Sequence, residues 1–276
     1  MQIIRVFPRK TSATPTDSLA VINRPPIASD ECDEVHISVA FTWDIPAAEA
    51  LYTDWSWVAN TKIGGPAFGD KGGVFVPGKY VKEGLVITSR GCPNSCWFCS
   101  AWKHEGREIR HLPIHDGWNL LDNNILACSK PHQENVFEML SRQPQKPKFT
   151  GGLEAARLSI WHVNWFKKLK PTSAYFAYDT PEDYEPLLLA SRLLKNSGIL
   201  KNHIYGCYVL IGYYGDTFEA AEARLISVVR MGFFPQAMLF NRGVSMPLPE
   251  MKTWRKFQRQ WANKILVGLK MTVYKE

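Results

Sequence analysis

From residue 84 onwards, short apolar runs alternate with longer amphipathic segments, and this order constrains the fold more than any other feature. The short runs have the length of strands, and the longer segments have the period of helices. The predicted strands are residues 85–88, 118–121, 147–149, 174–177, 207–211 and 236–240; the predicted helices are residues 133–140, 163–169, 184–196, 218–231 and 252–269. This order predicts an α/β fold around a parallel sheet, either a partly closed barrel or a doubly wound sheet. In both, ligands gather at the carboxyl ends of the strands.

The first 80 residues follow a different pattern. Four prolines interrupt the first thirty residues, which predicts an irregular arm without chemistry of its own. Residues 35–40 alternate like a strand, and Asp44 with Pro46 signals the start of a helix that runs to about residue 58. We therefore predict a small strand-helix extension at residues 1–80, a core domain at residues 81–245 and a C-terminal helix at residues 246–276.

Composition limits the class of protein. The 276 residues are 45% hydrophobic and 21% charged, which excludes a disordered, collagen-like or coiled-coil chain. No apolar run reaches the roughly 18 residues of a membrane helix, and the first residues are too short an apolar stretch for a secretory signal. We expect a cytoplasmic protein with no membrane partner. The net charge of +7 favours acidic partners such as nucleic acid without deciding between them.

Three of the six cysteines, Cys92, Cys96 and Cys99, lie within eight residues. Six cysteines are too few for a disulfide scaffold in a chain of this length, and their crowding indicates a metal site in a reducing compartment. One loop with this spacing can bring three thiolates to a single four-iron cluster, which leaves one iron without a protein ligand. The alternative is a structural zinc site, with Cys128 or His104 as the fourth ligand.

The same segment carries an aromatic residue, Phe98, directly before Cys99, and it follows the predicted strand at residues 85–88. This pattern, C-x3-C-x-aromatic-C, resembles the hallmark of the radical S-adenosylmethionine (radical SAM) superfamily, and the resemblance covers roughly residues 80–245. It implies a partial (βα)6 barrel that holds a 4Fe-4S cluster and S-adenosylmethionine. The implied activity, oxidoreductase or transferase, begins with reductive cleavage of S-adenosylmethionine, followed by hydrogen abstraction from an unidentified substrate.

The resemblance also implies residues that contact S-adenosylmethionine at the ends of the barrel strands, and it is nearest to the elongator-type and cobalamin-type members. The implied contacts are Asp122, Asn123 and Asn124 after the second strand, Arg157 after the third, Asp179 after the fourth, Ile211 and Gly212 after the fifth, and Met238 in the sixth, besides Phe98. Each has a plainer alternative. The 122–124 segment can be a polar turn, Arg157 a surface arginine, and Asp179 a helix cap.

Implied partners are a reductant, such as flavodoxin or ferredoxin, and a substrate that is either a small molecule or a nucleic acid. The amino-terminal extension faintly resembles a shortened cobalamin-binding domain, but it lacks the D-x-H-x-x-G signature, so we predict no bound cobalamin. The sequence has no second cluster-type set of cysteines, so we expect no auxiliary iron-sulfur cluster. Two alternatives remain open: an iron-sulfur module that binds nucleic acid without turnover, and a zinc-stabilised structural protein.

Near the carboxyl end, aromatic and basic residues alternate on the predicted helix at residues 252–269. Such a surface can stack bases and neutralise phosphates. The spacing of Trp254, Phe257 and Trp261 instead favours one face packed onto the barrel, with Arg255 and Lys256 in solvent.

Overall fold

The structure is a computed structural model that describes residues 2–240 and 248–274, with the side chain of Leu248 left out. The chain divides into two compact units, Met1–Asn123 and Asn124–Glu276. The domain boundary placed near residue 80 stays a prediction. The boundary placed between residues 245 and 246 lies outside the described residues.

The N-terminal unit begins with a four-stranded parallel sheet. Its strands are β1 (Ile3–Phe7), β2 (Ala20–Ile22), β3 (Glu34–Ser38) and β4 (Asn60–Gly64), in the order β2-β1-β3-β4. The irregular arm predicted for the first thirty residues is therefore wrong where β1 and β2 lie. The local sequence is misleading because Arg5 lies buried in the middle of β1. Its guanidinium donates to the backbone carbonyls of Gly78 and Lys79 and pairs with Asp17, which are partners distant in sequence.

Helix α1 (Ile45–Trp55) connects β3 to β4 and covers one face of this sheet. It begins where Pro46 predicts, and it ends before residue 58. Trp55 and Leu51 are buried in one hydrophobic cluster with the inward-facing residues of β1 and β3. The Asp44 side chain makes no capping hydrogen bond, because its carboxylate accepts instead from Arg9 at 2.7 and 3.0 Å.

The rest of the N-terminal unit consists of short elements. Strands β5 (Leu85–Val86) and β8 (Asn119–Leu120) pair in parallel, and β6 (Ser89–Arg90) pairs antiparallel with β7 (Arg110–His111). Helix α2 (Ala101–Glu105) has only five residues. The strands predicted at residues 85–88 and 118–121 are thus present but shorter. The cysteine segment lies between β6 and α2.

The C-terminal unit contains the predicted alternation of strands and helices. The strands β9 (Lys148–Phe149), β10 (Ser173–Tyr178), β11 (Tyr205–Ile211) and β12 (Phe234–Leu239) are parallel, in the order β12-β11-β10-β9. The helices between and before them are α3 (Lys130–Arg142), α4 (Ile160–Leu169), α5 (Tyr184–Asn196) and α6 (Phe218–Met231). The α/β class with parallel strands is confirmed, and closure into a partial barrel stays a prediction.

The single helix predicted at residues 252–269 is wrong. The structure has two helices there, α7 (Leu248–Ala262) and α8 (Lys264–Tyr274). The helix breaks because the Asn263 side chain accepts from the N–H groups of Ile265 and Leu266, as a residue that starts a new helix does. Trp254 and Trp261 are buried, as the packing alternative predicts. Within the described part of the chain, none of the helices combines the length and the apolar character that a bilayer span requires.

Candidate functional site

The cysteine segment forms a loop that presents three thiols. Cys92, Cys96 and Cys99 are each partly exposed, and no disulfide joins any of the six cysteines, all of which are described. The Cys99 N–H donates to the Cys96 carbonyl at 3.1 Å, and the Cys92 N–H donates to the Gly106 carbonyl at 3.1 Å. The second of these bonds closes the loop at its base. The three cysteines are therefore partly exposed on a loop whose backbone is closed by a hydrogen bond.

Glu105 holds this loop in place, although nothing in the sequence pattern singles it out. One carboxylate oxygen accepts from the Arg90 guanidinium at 2.7 Å. The other accepts from the Gly91 N–H at 3.0 Å and from the side-chain amide of Asn123. The Trp102 indole N–H adds a bond of 2.8 Å to the Cys96 carbonyl. Glu105 thus links β6, the residue before Cys92 and the segment after β8, and Asn123 contributes to this link.

We expect Glu105→Ala to lower the free energy of unfolding by about 2 kcal/mol, because it leaves the partly buried Arg90 and the Gly91 N–H without this acceptor. Urea unfolding, followed by circular dichroism, measures the change. Glu108→Ala is the matched control, since Glu108 is exposed, and a surface substitution changes stability by no more than about 0.5 kcal/mol. Equal effects of the two substitutions would contradict the assigned role of Glu105.

Asp122 is buried and fully engaged within the N-terminal unit. Its carboxylate accepts from the N–H and the hydroxyl of Thr88, both at 2.7 Å, and from the Ser89 hydroxyl at 2.6 Å. Burial raises the pKa of Asp122, although these hydrogen bonds oppose the shift. The carboxylate therefore ties the end of β5 and the start of β6 to the end of β8. Phe98, in the cysteine segment, is partly buried and makes an edge contact with the Trp97 ring.

In the C-terminal unit, the carboxyl ends of β10, β11 and β12 lie side by side, since Tyr178 pairs with Val209 and Ile211 with Leu239. Four of the predicted contacts share this edge: Asp179, Ile211, Gly212 and Met238. The Asp179 carboxylate accepts from the Leu210 N–H at 3.1 Å. Met238 is 41% exposed, and Ile211 is fully buried.

The carboxyl group of Asp179 has a raised pKa. Burial first, and then repulsion from Asp183, raise the pKa of Asp179 to about 7, while the Leu210 N–H and Arg224 oppose the shift. Asp183, rather than Asp179, acts as the turn residue before α5, because it accepts from the N–H groups of Asp179 and Thr180. The edge thus presents a carboxyl group that changes charge near neutral pH.

Glu154 brings two further predicted residues together. One of its carboxylate oxygens accepts from the Arg157 guanidinium and from the Asn124 side-chain amide, both at 2.6 Å. Arg157 is therefore paired, although its side chain remains 41% exposed. As with Glu105, nothing in the local sequence marks Glu154, because the bond to Asn124 spans 30 positions along the chain.

A solved structure shares this fold. It is a radical S-adenosylmethionine methyltransferase, TsrM from Kitasatospora setae, with cobalamin and a [4Fe-4S] cluster bound; the TM-score is 0.62 and the sequence identity 12%, over 86% of this chain and 74% of that chain. No protein family matches the sequence, and no curated protein matches it. At the level of the fold, the resemblance to radical SAM enzymes is confirmed.

Proposed function

We propose that the protein is a radical SAM enzyme, in which Cys92, Cys96 and Cys99 hold a 4Fe-4S cluster and S-adenosylmethionine is the source of the radical. The observation that carries this proposal is the loop with three partly exposed cysteines after β6, in a chain whose fold is similar to that of TsrM. We further propose that the reaction abstracts hydrogen from a substrate, and that a small electron-transfer protein such as flavodoxin or ferredoxin supplies the electron.

The donor set supports a cluster over zinc. A structural zinc site normally has four protein ligands, one more than the three cysteines of this loop supply. Three thiolates are enough to hold a four-iron cluster, in which one iron is left without a protein ligand. When bound, the cluster supplies the electron for the reductive cleavage of S-adenosylmethionine.

In this proposal, the chain's own residues position the reactants. Glu105 and Trp102 fix the loop that carries the thiols. At the sheet edge of the C-terminal unit, Asp179 offers a carboxyl group that can accept or donate a hydrogen bond near neutral pH. Gly212 has a positive φ of 70°, which a residue without a side chain adopts easily, and so allows the chain to turn at this edge. Met238 adds an exposed apolar surface that suits a base.

Anaerobic reconstitution with iron and sulfide, followed by reduction with dithionite and addition of S-adenosylmethionine, tests the proposal. We expect about four irons and four sulfides per chain and the formation of 5′-deoxyadenosine. Zinc without sulfide would instead favour the structural protein. A cluster without 5′-deoxyadenosine, together with a nucleic-acid affinity that falls steeply with salt, would favour the binding module.

Methyl transfer is the second candidate, because the similar structure is that of a methyltransferase. The products distinguish the two reactions, because S-adenosylhomocysteine accumulates only when a methyl group passes from S-adenosylmethionine to an acceptor, so this arm of the test needs an acceptor in the incubation. We do not extend the proposal to cobalamin. The chain lacks the D-x-H-x-x-G signature, and between residues 2 and 64 the structure describes one α-helix, α1, beside its four strands. The absence of bound cobalamin stays a prediction.

A further inference from the structure

A cavity of about 690 Å³ opens in the C-terminal unit at the amino ends of β10, β11 and β12. Tyr175, Gly206 and Phe234 line it on the sheet, and α8 forms the opposite wall. Gly206 precedes Ile211 by five positions in β11, so that about 16 Å of strand separates the cavity from the edge that carries Gly212. The cavity is therefore distinct from the site proposed above.

The floor of the cavity is a fixed aromatic ring. Tyr175 stacks on Tyr208 with ring centroids 4.6 Å apart and an angle of 11° between the planes. A Cβ atom at Gly206 would lie 2.4 Å from the Tyr175 ring, so this glycine allows the ring to lie close against β11. The ring is thus oriented before any ligand arrives, which favours stacking of a planar molecule.

The opposite wall contains a glycine that the packing of the chain does not explain. Gly268 lies in the middle of α8, where glycine is less favourable than alanine. A Cβ atom at this position would meet no described heavy atom within 4 Å. Val267 and Met271 are the buried residues of the helix. Gly268 therefore leaves space open in a cavity wall.

The polar groups around the cavity favour a negative charge. Lys264 and His203 line it, and so does Asn202, whose amide donates to the Met271 sulfur at 3.9 Å, a weak acceptor. No carboxylate lines the cavity among the residues that the structure describes. A ligand with an anionic group would pair with Lys264 and accept a stronger hydrogen bond from Asn202.

We infer that this cavity binds a planar aromatic molecule that carries a negative charge, with the ring stacked on Tyr175 and the anion near Lys264. A nucleoside monophosphate and an aromatic carboxylate share this chemistry. The volume falls in the range of small-molecule sites. The inference is independent of the cluster and of S-adenosylmethionine.

Isothermal titration of the whole protein with adenosine monophosphate, and separately with 2-naphthoate, tests the inference without S-adenosylmethionine present. We expect saturable binding of at least one probe, with a Kd below about 1 mM. Gly268→Leu fills the open space and should weaken binding by about tenfold or more, whereas Gly268→Ala, the matched control, should change it by less than about threefold. Lys264→Met should weaken binding by about tenfold.

Thermal unfolding accompanies these titrations, because both substitutions at Gly268 place a better helix former in α8 and should leave Tm equal or higher. Binding of only one probe identifies the ligand as a nucleotide or as a carboxylate. Failure of both probes to bind overturns the inference, and so does full affinity in a folded Gly268→Leu protein. If Gly268→Leu does not fold, Lys264→Met is the deciding variant. Lys264 is exposed, so its substitution should leave the fold intact. Unchanged affinity of the Lys264→Met protein also overturns the inference.

Discussion

Cys96→Ala should abolish both the absorbance of the iron-sulfur cluster and the formation of 5′-deoxyadenosine. The substitution removes one of the three thiolates that hold the cluster in the proposed site. It does not remove the backbone contact of the loop, because the Trp102 indole donates to the carbonyl of residue 96, which alanine retains. Loss of the cluster would thus report the missing ligand rather than a collapsed loop. Iron and sulfide analysis, absorbance after reconstitution, and chromatography of the reaction products measure the effect.

The matched control is Cys32→Ala. Cys32 is partly buried like the three loop cysteines, but it packs against the hydrophobic core of the N-terminal sheet, and burial raises the pKa of its thiol. This variant should keep its iron, its sulfide and its product at the level of the unmodified protein. A Cys96→Ala protein that still holds four irons and forms 5′-deoxyadenosine would refute the assigned ligand.

Asp179→Asn should change how stability depends on pH. The pKa of Asp179 is about 7 in the folded protein, against an ordinary value of 3.8, so the folded chain retains a proton that the unfolded chain releases. The stabilisation from this proton is complete below about pH 4 and is lost as the pH rises to about 7. A shift of this size corresponds to about 2 to 4 kcal/mol for a partly buried carboxyl group. The Asp179→Asn protein should lack this pH-dependent loss of stability.

The quantity to measure is the difference in free energy of unfolding between the unmodified protein and Asp179→Asn, because His162 changes the stability of both proteins with pH in the opposite direction. Burial first, and then Lys130, lower the pKa of His162 to about 4, so its contribution to stability is lost as the pH falls from about 6.5 to 4. Urea unfolding at pH 4, 5.5 and 7.5 gives the difference for Asp179→Asn, and the exposed Glu185→Gln serves as control. A difference that does not vary with pH would exclude the raised pKa of Asp179.

The C-terminal helices and strands show where sequence patterns are reliable. Helices α5 and α6 begin and end at the predicted residues, because their amphipathic period coincides with clear starts and ends. At α6, the Thr217 hydroxyl accepts from the Ala220 N–H, and Gly232 ends the helix with a positive φ. The motif of the three cysteines is equally local, since spacing alone defines it.

Contacts between distant residues explain what the sequence does not reveal. Arg5 interrupts the apolar sequence of strand β1, and its partners Gly78 and Lys79 lie more than 70 positions away. Glu105 and Glu154 look like ordinary loop carboxylates until their bonds to Asn123 and Asn124 are visible. Such pairings depend on which loops the fold brings together, and no local pattern encodes them.

The central place of β1 in its sheet also determines how its amide hydrogens exchange with solvent. Hydrogen bonds to β2 on one side and β3 on the other leave this strand without an open edge, and Ile4 and Val6 are buried. Deuterium should therefore enter the backbone of β1 only when the four-stranded sheet opens, which makes this strand, like the other central strand β3, a slow reporter of cooperative unfolding in the N-terminal unit.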